Sequence, residues 1–476
     1  MRRQKVLLTG ATGNWGRATL EELRARDRAD VRALVLPTRT DRARIAAYRS
    51  MKSLEVIEGD LTDPACVARC VQGVDVILHV GAVVSPLADD QPALAHRVNV
   101  GGAKNIVDAV LALPDPSKVS VVMVGSVAQT GGRNPPRHWG RVGDPLCASE
   151  FDEYAQSKII AERTLLESGL PRWAWLRQTG ILHKDLLTVQ DPIMTHVPLG
   201  GVLEWATAED SARLLANLTE DGVPDEFWCE VYNVGGGEPF RWTNYEMLER
   251  VGAALGTADP GRWYERRWFA RKNFHGQWYT DSDRLEALLP FRKDTAEGAI
   301  ARCIEHAPTS AKLARFTPDW VVKHAGMAQI AAKPRGTMAW VRARDEEKIR
   351  AYFGTFRGWE EIGDWSSFRA PAPSREPTSL DHGYDEHKPR ARWSLSDLRG
   401  AAEFRGGSVL SEHMREGAID EKLSWRCGEG HTFAASARLV LAAGHWCPVC
   451  VRSPKDYPKH AERNRFLAQV QPESLA

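Results

Sequence analysis

"KVLLTGATGNWG", residues 5–16, runs an apolar, β-branched stretch directly into three glycines, Gly10, Gly13 and Gly16, and "RATLEELRARD" (17–27) continues with helical periodicity. Glycines at this junction let the backbone turn sharply between strand and helix and approach a pyrophosphate held at the helix N-terminus. Asn14 and Trp15 complete the loop expected to hold that group.

The same alternation continues downstream. "VRALVL" (31–36), "LEVIEGD" (54–60), "VDVILHVG" (74–81) and "KVSVVMVGS" (118–126) read as strands buried on both faces, with "GGAKNIVDAVLAL" (101–113) as an intervening helix. Alternating β and α segments predict an α/β fold, a Rossmann-type doubly wound parallel sheet. "RWAWLRQTGIL" (172–182) and "EVYNVGG" (230–236), separated by the helical "AEDSARLLANLTE" (208–220), extend the sheet. In that register Asp60 and Leu61 end the third strand where a carboxylate would meet an adenine nucleoside, and Gly81 lies at the end of the fourth.

At 476 residues the chain exceeds one ordinary domain, and 63 basic against 62 acidic side chains give it a net charge of +1. That balance offers no electrostatic footprint for nucleic acid or a membrane surface. No apolar run reaches the length of a signal-peptide core or a membrane span, so a cytoplasmic location is expected. Eight cysteines are too sparse for a disulfide framework.

Tyr154 and Lys158, in "YAQSK", are four apart and stack on one helical face. An ammonium beside a phenol favours phenolate, bringing tyrosine toward a useful general acid/base value. Ser126 ends the fifth strand, where its hydroxyl could bind the same substrate oxygen.

The ordered set TGxxGxxG, Asp60-Leu61, Asn99 in "HRVNVGGAKNIVDA", Ser126 and Tyr154-xxx-Lys158 resembles the extended short-chain dehydrogenase/reductase family, over roughly residues 1–310. The resemblance implies a nicotinamide cofactor domain with a smaller substrate lobe. Ser126 would position the substrate oxygen, Tyr154 exchange its proton, and Lys158 hold the ribose. Asn99 would keep a relay water or the helix geometry in place. "LRQTGIL" (176–182) departs from the family pattern by lacking the proline after arginine. "GSVAQTGG" lacks the acidic pair that family dehydratases carry after the serine, and Thr130 stands where epimerases often carry tyrosine. Simple interconversion of a secondary alcohol and a ketone is therefore the first reading, epimerisation the second, and a cofactor-sensing regulator or nucleic-acid-binding protein the alternative of another class.

At the end of the second strand Leu36 and Pro37 replace the acidic residue of NAD-preferring sites, with Arg39 and Arg42 close behind. Cations there suit a 2'-phosphate, so NADP is expected, with NAD as the alternative. Substrate contacts are expected from residues 186–205 and the Trp-rich stretch 263–278.

Residues 311–394 read as a helical extension and then a Pro-rich linker or wrapping segment, 395–455 as a metal-binding module, and 456–476 as a tail. Cys427, His431, Cys447 and Cys450 supply three thiolates and an imidazole, the ligand set of a closed, structural zinc site, and the surrounding text resembles treble-clef or zinc-ribbon modules. His445 is the rival ligand, disfavoured by its place two residues before Cys447. Such a module would cap the substrate lobe or a partner subunit, a homodimer being compatible. Its second possible role is nucleic-acid contact through Arg405, Arg415, Lys422 and Arg426, the weaker reading because scattered basic residues usually face solvent.

Overall fold

The computed structural model describes residues 3–188 and 190–471. Its centre is a sheet of seven parallel strands: β1 (Gln4–Thr9), β2 (Ala29–Val35), β3 (Leu54–Glu58), β4 (Val76–His79), β5 (Ser120–Ser126), β6 (Trp173–Gln178) and β7 (Glu230–Val234). They lie in the order β7-β6-β5-β4-β1-β2-β3. The order reverses between β1 and β4, and in sheets of this kind the crevice at the strand ends beside that point receives the ligand.

Helices α1 (Asn14–Arg26), α2 (Arg39–Ala46), α3 (Pro64–Val71), α4 (Gly102–Leu111), α5 (Glu153–Leu166) and α6 (Ala208–Asn217) cover the sheet. Successive strand side chains point to opposite faces. Val6 and Leu8 accordingly enter one core with Leu20, Leu23, Leu214 and Leu215, while Leu7 enters the other with Val67, Ile106, Val121 and Leu165. β3 differs from the expectation of burial on both faces. It is the sheet edge, with Val56 exposed and Glu55 accepting a hydrogen bond from Arg32 Nε at 2.9 Å.

The smaller lobe is built from short strand pairs, Val202–Glu204 with Arg241–Thr243 and Ile181–Leu182 with Ala206–Thr207. Leu182, Phe240, Trp242, Met247 and Ile300 form its core. The Trp-rich stretch, expected to line a pocket, is mostly interior: Trp263, Trp268 and Trp278 are buried. From residue 309 onward short helices follow, and Arg335 ties them to both sides of the crevice, contacting Asp90 at 2.8 Å and Asp191 at 3.0 Å.

The Pro-rich segment wraps the domain. Ser374 O accepts from Trp139 Nε1 at 3.1 Å, and buried His382 bonds Asp144 at 2.9 Å. The remainder comprises α7 (Leu395–Phe404) and a small antiparallel sheet of β8 (Ser408–Val409), β9 (Lys422–Arg426) and β10 (Thr432–Ser436). Its apolar interior is continuous with that of the large sheet. Leu398, Trp425 and Leu441 belong to one cluster with Trp173, Trp175 and Val121 of the large sheet. Past it, Tyr457, Phe466 and Leu467 are buried, so the segment read as a tail is docked as far as residue 471. No helix among the described residues is long and apolar enough to cross a membrane.

Candidate active site

Gly10 takes φ +71°, and a Cβ there would meet Gly81 N at 2.6 Å; a Cβ on Gly16 would strike the Gly10 carbonyl. The chain therefore needs bare backbone where β1 turns into α1, and the turn closes with Gly13 N donating to Gly10 O at 3.0 Å. This is a cradle for a phosphate-sized group at a helix N-terminus. Gly81 N donates to Thr9 Oγ1 at 3.1 Å, holding the β1 and β4 ends together. Trp15 points into the core and so offers the cradle backbone only, while exposed Asn14 meets His183 Nε2 at 3.2 Å. Asp60 Oδ1 accepts from Thr62 N at 2.8 Å, and Leu61 packs beneath Gly81 and Gly102.

On the other side of the crevice, β5 delivers Ser126 and α5 delivers Tyr154 and Lys158. Asp152 caps α5, accepting from Ala155 N at 2.8 Å, and Asp89 accepts from Glu153 N at 3.0 Å, so two carboxylates fix the turn that carries Tyr154. Burial chiefly, with the charge of Asp152 beside it, pushes the Asp89 carboxyl up to about 6. Lys158 Nζ donates to Val124 O at 2.7 Å and lies 5.9 Å from the Tyr154 ring.

Burial works against the expected phenolate. Burial raises the Tyr154 phenol to about 12, against which the Ser126 side chain pulls it down, and Asp152 raises it further. Burial also lowers Lys158 to about 7, weakening the cation that was expected to act on the phenol. Asn99 lies in a π-helical stretch, His96–Gly101. Its Oδ1 accepts from Val83 N, and its Nδ2 donates to Val83 O and Ser157 Oγ, all at 2.8 Å. Both ends of its amide are thus engaged in holding the post-β4 loop to α5.

Two other side chains were invisible to motif reading. Gln178 ends β6 directly opposite Ser126 in register, and it is buried with neither amide atom partnered. Gln129 accepts from Ser126 N at 2.9 Å and donates to Glu162 at 2.5 Å. An unpartnered buried amide opposite Ser126 suits a polar ligand atom, while the glycine turn at the end of β1 suits the phosphates of a dinucleotide.

Residues 6–169 match the model described as the NAD dependent epimerase/dehydratase family. The match is confined to that segment. Mouse 3 beta-hydroxysteroid dehydrogenase type 7 is 29% identical over 157 residues, 31% of this chain and 42% of the relative. The 3 beta-hydroxysteroid dehydrogenase/Delta 5-->4-isomerase of Mycobacterium tuberculosis is 32% identical over 123 residues, 24% of this chain and 31% of the relative. The chain thus spans less than half the length of these curated relatives. UDP-glucose 4-epimerase of Thermus thermophilus, solved in complex with NAD, superposes with TM-score 0.50 at 20% identity, over 63% of this chain and 98% of that one. UDP-glucuronic acid 4-epimerase of Bacillus cereus, solved with UDP-glucuronic acid and NAD, does so with TM-score 0.50 at 15% identity over the same shares. These likenesses establish the fold.

The expected 2'-phosphate ligands divide. Arg42 is engaged by Glu58 in two hydrogen bonds of 2.8 and 2.5 Å, contrary to the free cation expected. Arg39 is exposed, and Arg44, which motif reading passed over, reaches the Thr12 carbonyl of the glycine loop at 3.4 Å.

The second candidate site lies outside the matched segment. Cys427 follows β9 and His431 precedes β10, so one hairpin presents both, and Cys447 and Cys450 face them from a turn in which Cys450 N donates to Cys447 Sγ at 3.4 Å. All four ligand atoms lie within 4.8 Å of one another. His431 Nδ1 is 3.4, 3.6 and 3.4 Å from the sulfurs of Cys427, Cys447 and Cys450, and the Cys427 and Cys450 sulfurs are 3.8 Å apart. Tetrahedral bonds of about 2.3 Å to sulfur and about 2.0 Å to nitrogen require edges of roughly 3.5–3.8 Å, so the donors fit zinc. His445 does not join them; its Nε2 bonds Glu162 Oε1 at 3.0 Å. Of the basic residues considered for nucleic acid, Arg405 is buried, donating to His382 O at 2.8 Å, and Lys422 reaches Glu167 O at 3.1 Å.

Proposed function

We propose that the protein is an NAD(P)-dependent oxidoreductase that interconverts a secondary alcohol and a ketone on a small molecule. The observation carrying this reading is the convergence of Ser126, Tyr154 and Lys158 at the strand ends facing the glycine cradle. The nicotinamide, when bound, supplies the hydride acceptor or donor. Ser126 orients the substrate oxygen, and Tyr154 gives or takes its proton. Burial disfavours the Lys158 ammonium; ribose hydroxyls accepting from it would hold it charged, and its charge would then favour the phenolate.

Dehydration and epimerisation are less well served. Residues 127–132, directly after Ser126, include no carboxylate, and the Thr130 hydroxyl is spent on Val127 O at 2.8 Å. NADP remains the preferred cofactor, with Arg39 and Arg44 as the cations near its 2'-phosphate and NAD the alternative. Zinc at Cys427, His431, Cys447 and Cys450 leaves no open position for a reacting oxygen and acts as a structural staple.

Among relatives matched in sequence are a 3 beta-hydroxysteroid dehydrogenase and a 2-alkyl-3-oxoalkanoate reductase, so a 3-oxosteroid and a 2-alkyl-3-oxoalkanoate are the first probes. Reduction of either, followed by the loss of NADPH or NADH absorbance, supports the reading. Turnover in Tyr154→Phe equal to that of the wild type overturns it.

A further inference from the structure

Ser126 is held by an interior chain of hydrogen bonds that ends in the metal-binding segment. Its own N–H donates to Gln129 Oε1 at 2.9 Å, and its Oγ accepts from Ala128 N at 3.2 Å. That reciprocal arrangement is a capping box, which fixes both the backbone and the hydroxyl of Ser126. Gln129 Oε1 also accepts from Trp175 Nε1 at 3.3 Å. The room for this is made by Gly125, where a Cβ would collide with both the Trp175 ring and the Gln129 amide.

A buried glutamine whose oxygen is occupied must also satisfy its NH2. Gln129 Nε2 does so on Glu162 Oε2 at 2.5 Å, and Glu162 lies four and eight residues beyond Lys158 and Tyr154 on the same face of α5. Glu162 accepts two further bonds from Arg177, 3.0 Å from Nε and 2.6 Å from Nη2. Its remaining donor is His445 Nε2, at 3.0 Å, and Arg177 Nη2 also donates to Ala443 O at 2.7 Å. Gln129, Glu162 and Arg177 are fully buried and His445 nearly so.

We propose that Gln129 and His445 are positioning residues for Ser126, so that the segment ordered around Cys447 and Cys450 completes the active site of the neighbouring domain. This rests on the oxidoreductase reading of Ser126. Each of Gln129, Glu162, Arg177 and His445 is tied to its neighbour in the network, with only Arg177 Nη1 unpartnered among them, and removing one member loosens the rest. Without His445, Glu162 is left to Arg177 and Gln129 alone, and the Gln129 amide that pins Ser126 N loses its fixed partner. The linkage is not carried by proton transfer; it is the placement of the Ser126 hydroxyl relative to Tyr154. Misplacements of about 1 Å at a reacting centre cost up to about 100-fold.

The test uses the full-length, zinc-loaded protein with a 3-oxosteroid and a 2-alkyl-3-oxoalkanoate as probes. His445→Leu should lower kcat about 10- to 100-fold while NADPH affinity stays within about twofold, the split expected when positioning rather than binding is lost. His445→Gln, whose amide can still donate to Glu162, should recover kcat to within about threefold of the wild type. Amide exchange over residues 125–131 should quicken in His445→Leu and recover in His445→Gln, with one zinc per chain retained in both. Gln129→Leu should reproduce the kcat loss without touching the metal segment, and it carries the same comparison if His445→Leu does not fold.

The inference is overturned if His445→Leu and Gln129→Leu keep the wild-type kcat and exchange. It is equally overturned if kcat and NADPH affinity fall together, or if His445→Gln fails as His445→Leu does. Should Tyr154→Phe retain full turnover, or neither ketone be reduced, the function reading is at fault, and exchange over 125–131 alone decides whether His445 holds the Ser126 turn.

Discussion

Glu162→Gln removes one charge from the interior node and leaves its size unchanged. In the wild type, burial pushes the Glu162 carboxyl upward, but the Arg177 guanidinium and the His445 ring outweigh it and hold the group at about 2, against 4.5 unperturbed. That displacement corresponds to about 3 kcal/mol of stabilisation at neutral pH. Removing one partner of a buried ion pair costs about 3–5 kcal/mol, which agrees. Because the folded value lies below the unfolded one, the contribution is complete above the unfolded value of 4.5 and is lost as pH falls toward 2. The groups facing the carboxylate are Arg177 from β6, charged throughout, neutral Gln129, and His445 from the segment that carries Cys447 and Cys450.

Urea unfolding followed by tryptophan fluorescence, from neutral pH down to about pH 3, reads the effect, and titrations of groups remote from this node cancel in the difference. Wild type should exceed Glu162→Gln by about 3 kcal/mol from about pH 7 to about pH 5.5, with the gap shrinking by about 1.4 kcal/mol per pH unit below about 4.5. A gap under about 1 kcal/mol at about pH 7, or one that stays constant or widens in acid, would refute the charge balance assigned to this node.

Tyr154→Phe should bind NADPH with wild-type affinity and lose at least about 100-fold in kcat, measured on whichever probe ketone is reduced. Fluorescence titration should give tighter binding of NADPH than NADH, and Arg39→Ala should narrow that gap; a wild-type preference for NADH would reassign the pocket around Leu36. Elemental analysis should return one zinc per chain. Cys447→Ser should quicken amide exchange from about residue 395 onward and, because Trp173 and Trp175 share a core with Trp425 and Leu441, also on the outer side of α5. Unchanged exchange there in a metal-free variant would refute the stapling role.

How much of this was readable in advance depended on distance along the chain. The glycine loop, the strand and helix alternation, Tyr154 with Lys158, and Cys427 through Cys450 are local patterns, in which spacing of a few residues sets geometry through the helix repeat, the strand pleat or a turn. They determined the sheet, the order of its site residues and the four donors. Tertiary structure decided the rest. Whether Arg42 is free depends on Glu58, sixteen residues away on another element, and whether Tyr154 is depressed or raised depends on how much solvent the fold strips from it and from Lys158. His445, disfavoured as a metal ligand from its spacing, finds its role only because residue 162 is brought to it from 283 positions away. Nor does composition indicate that the interior of the C-terminal segment is continuous with residues of β5 and β6. Local propensity and spacing write elements and motifs, whereas burial, charge pairing and shared cores are properties of what the folded chain places side by side.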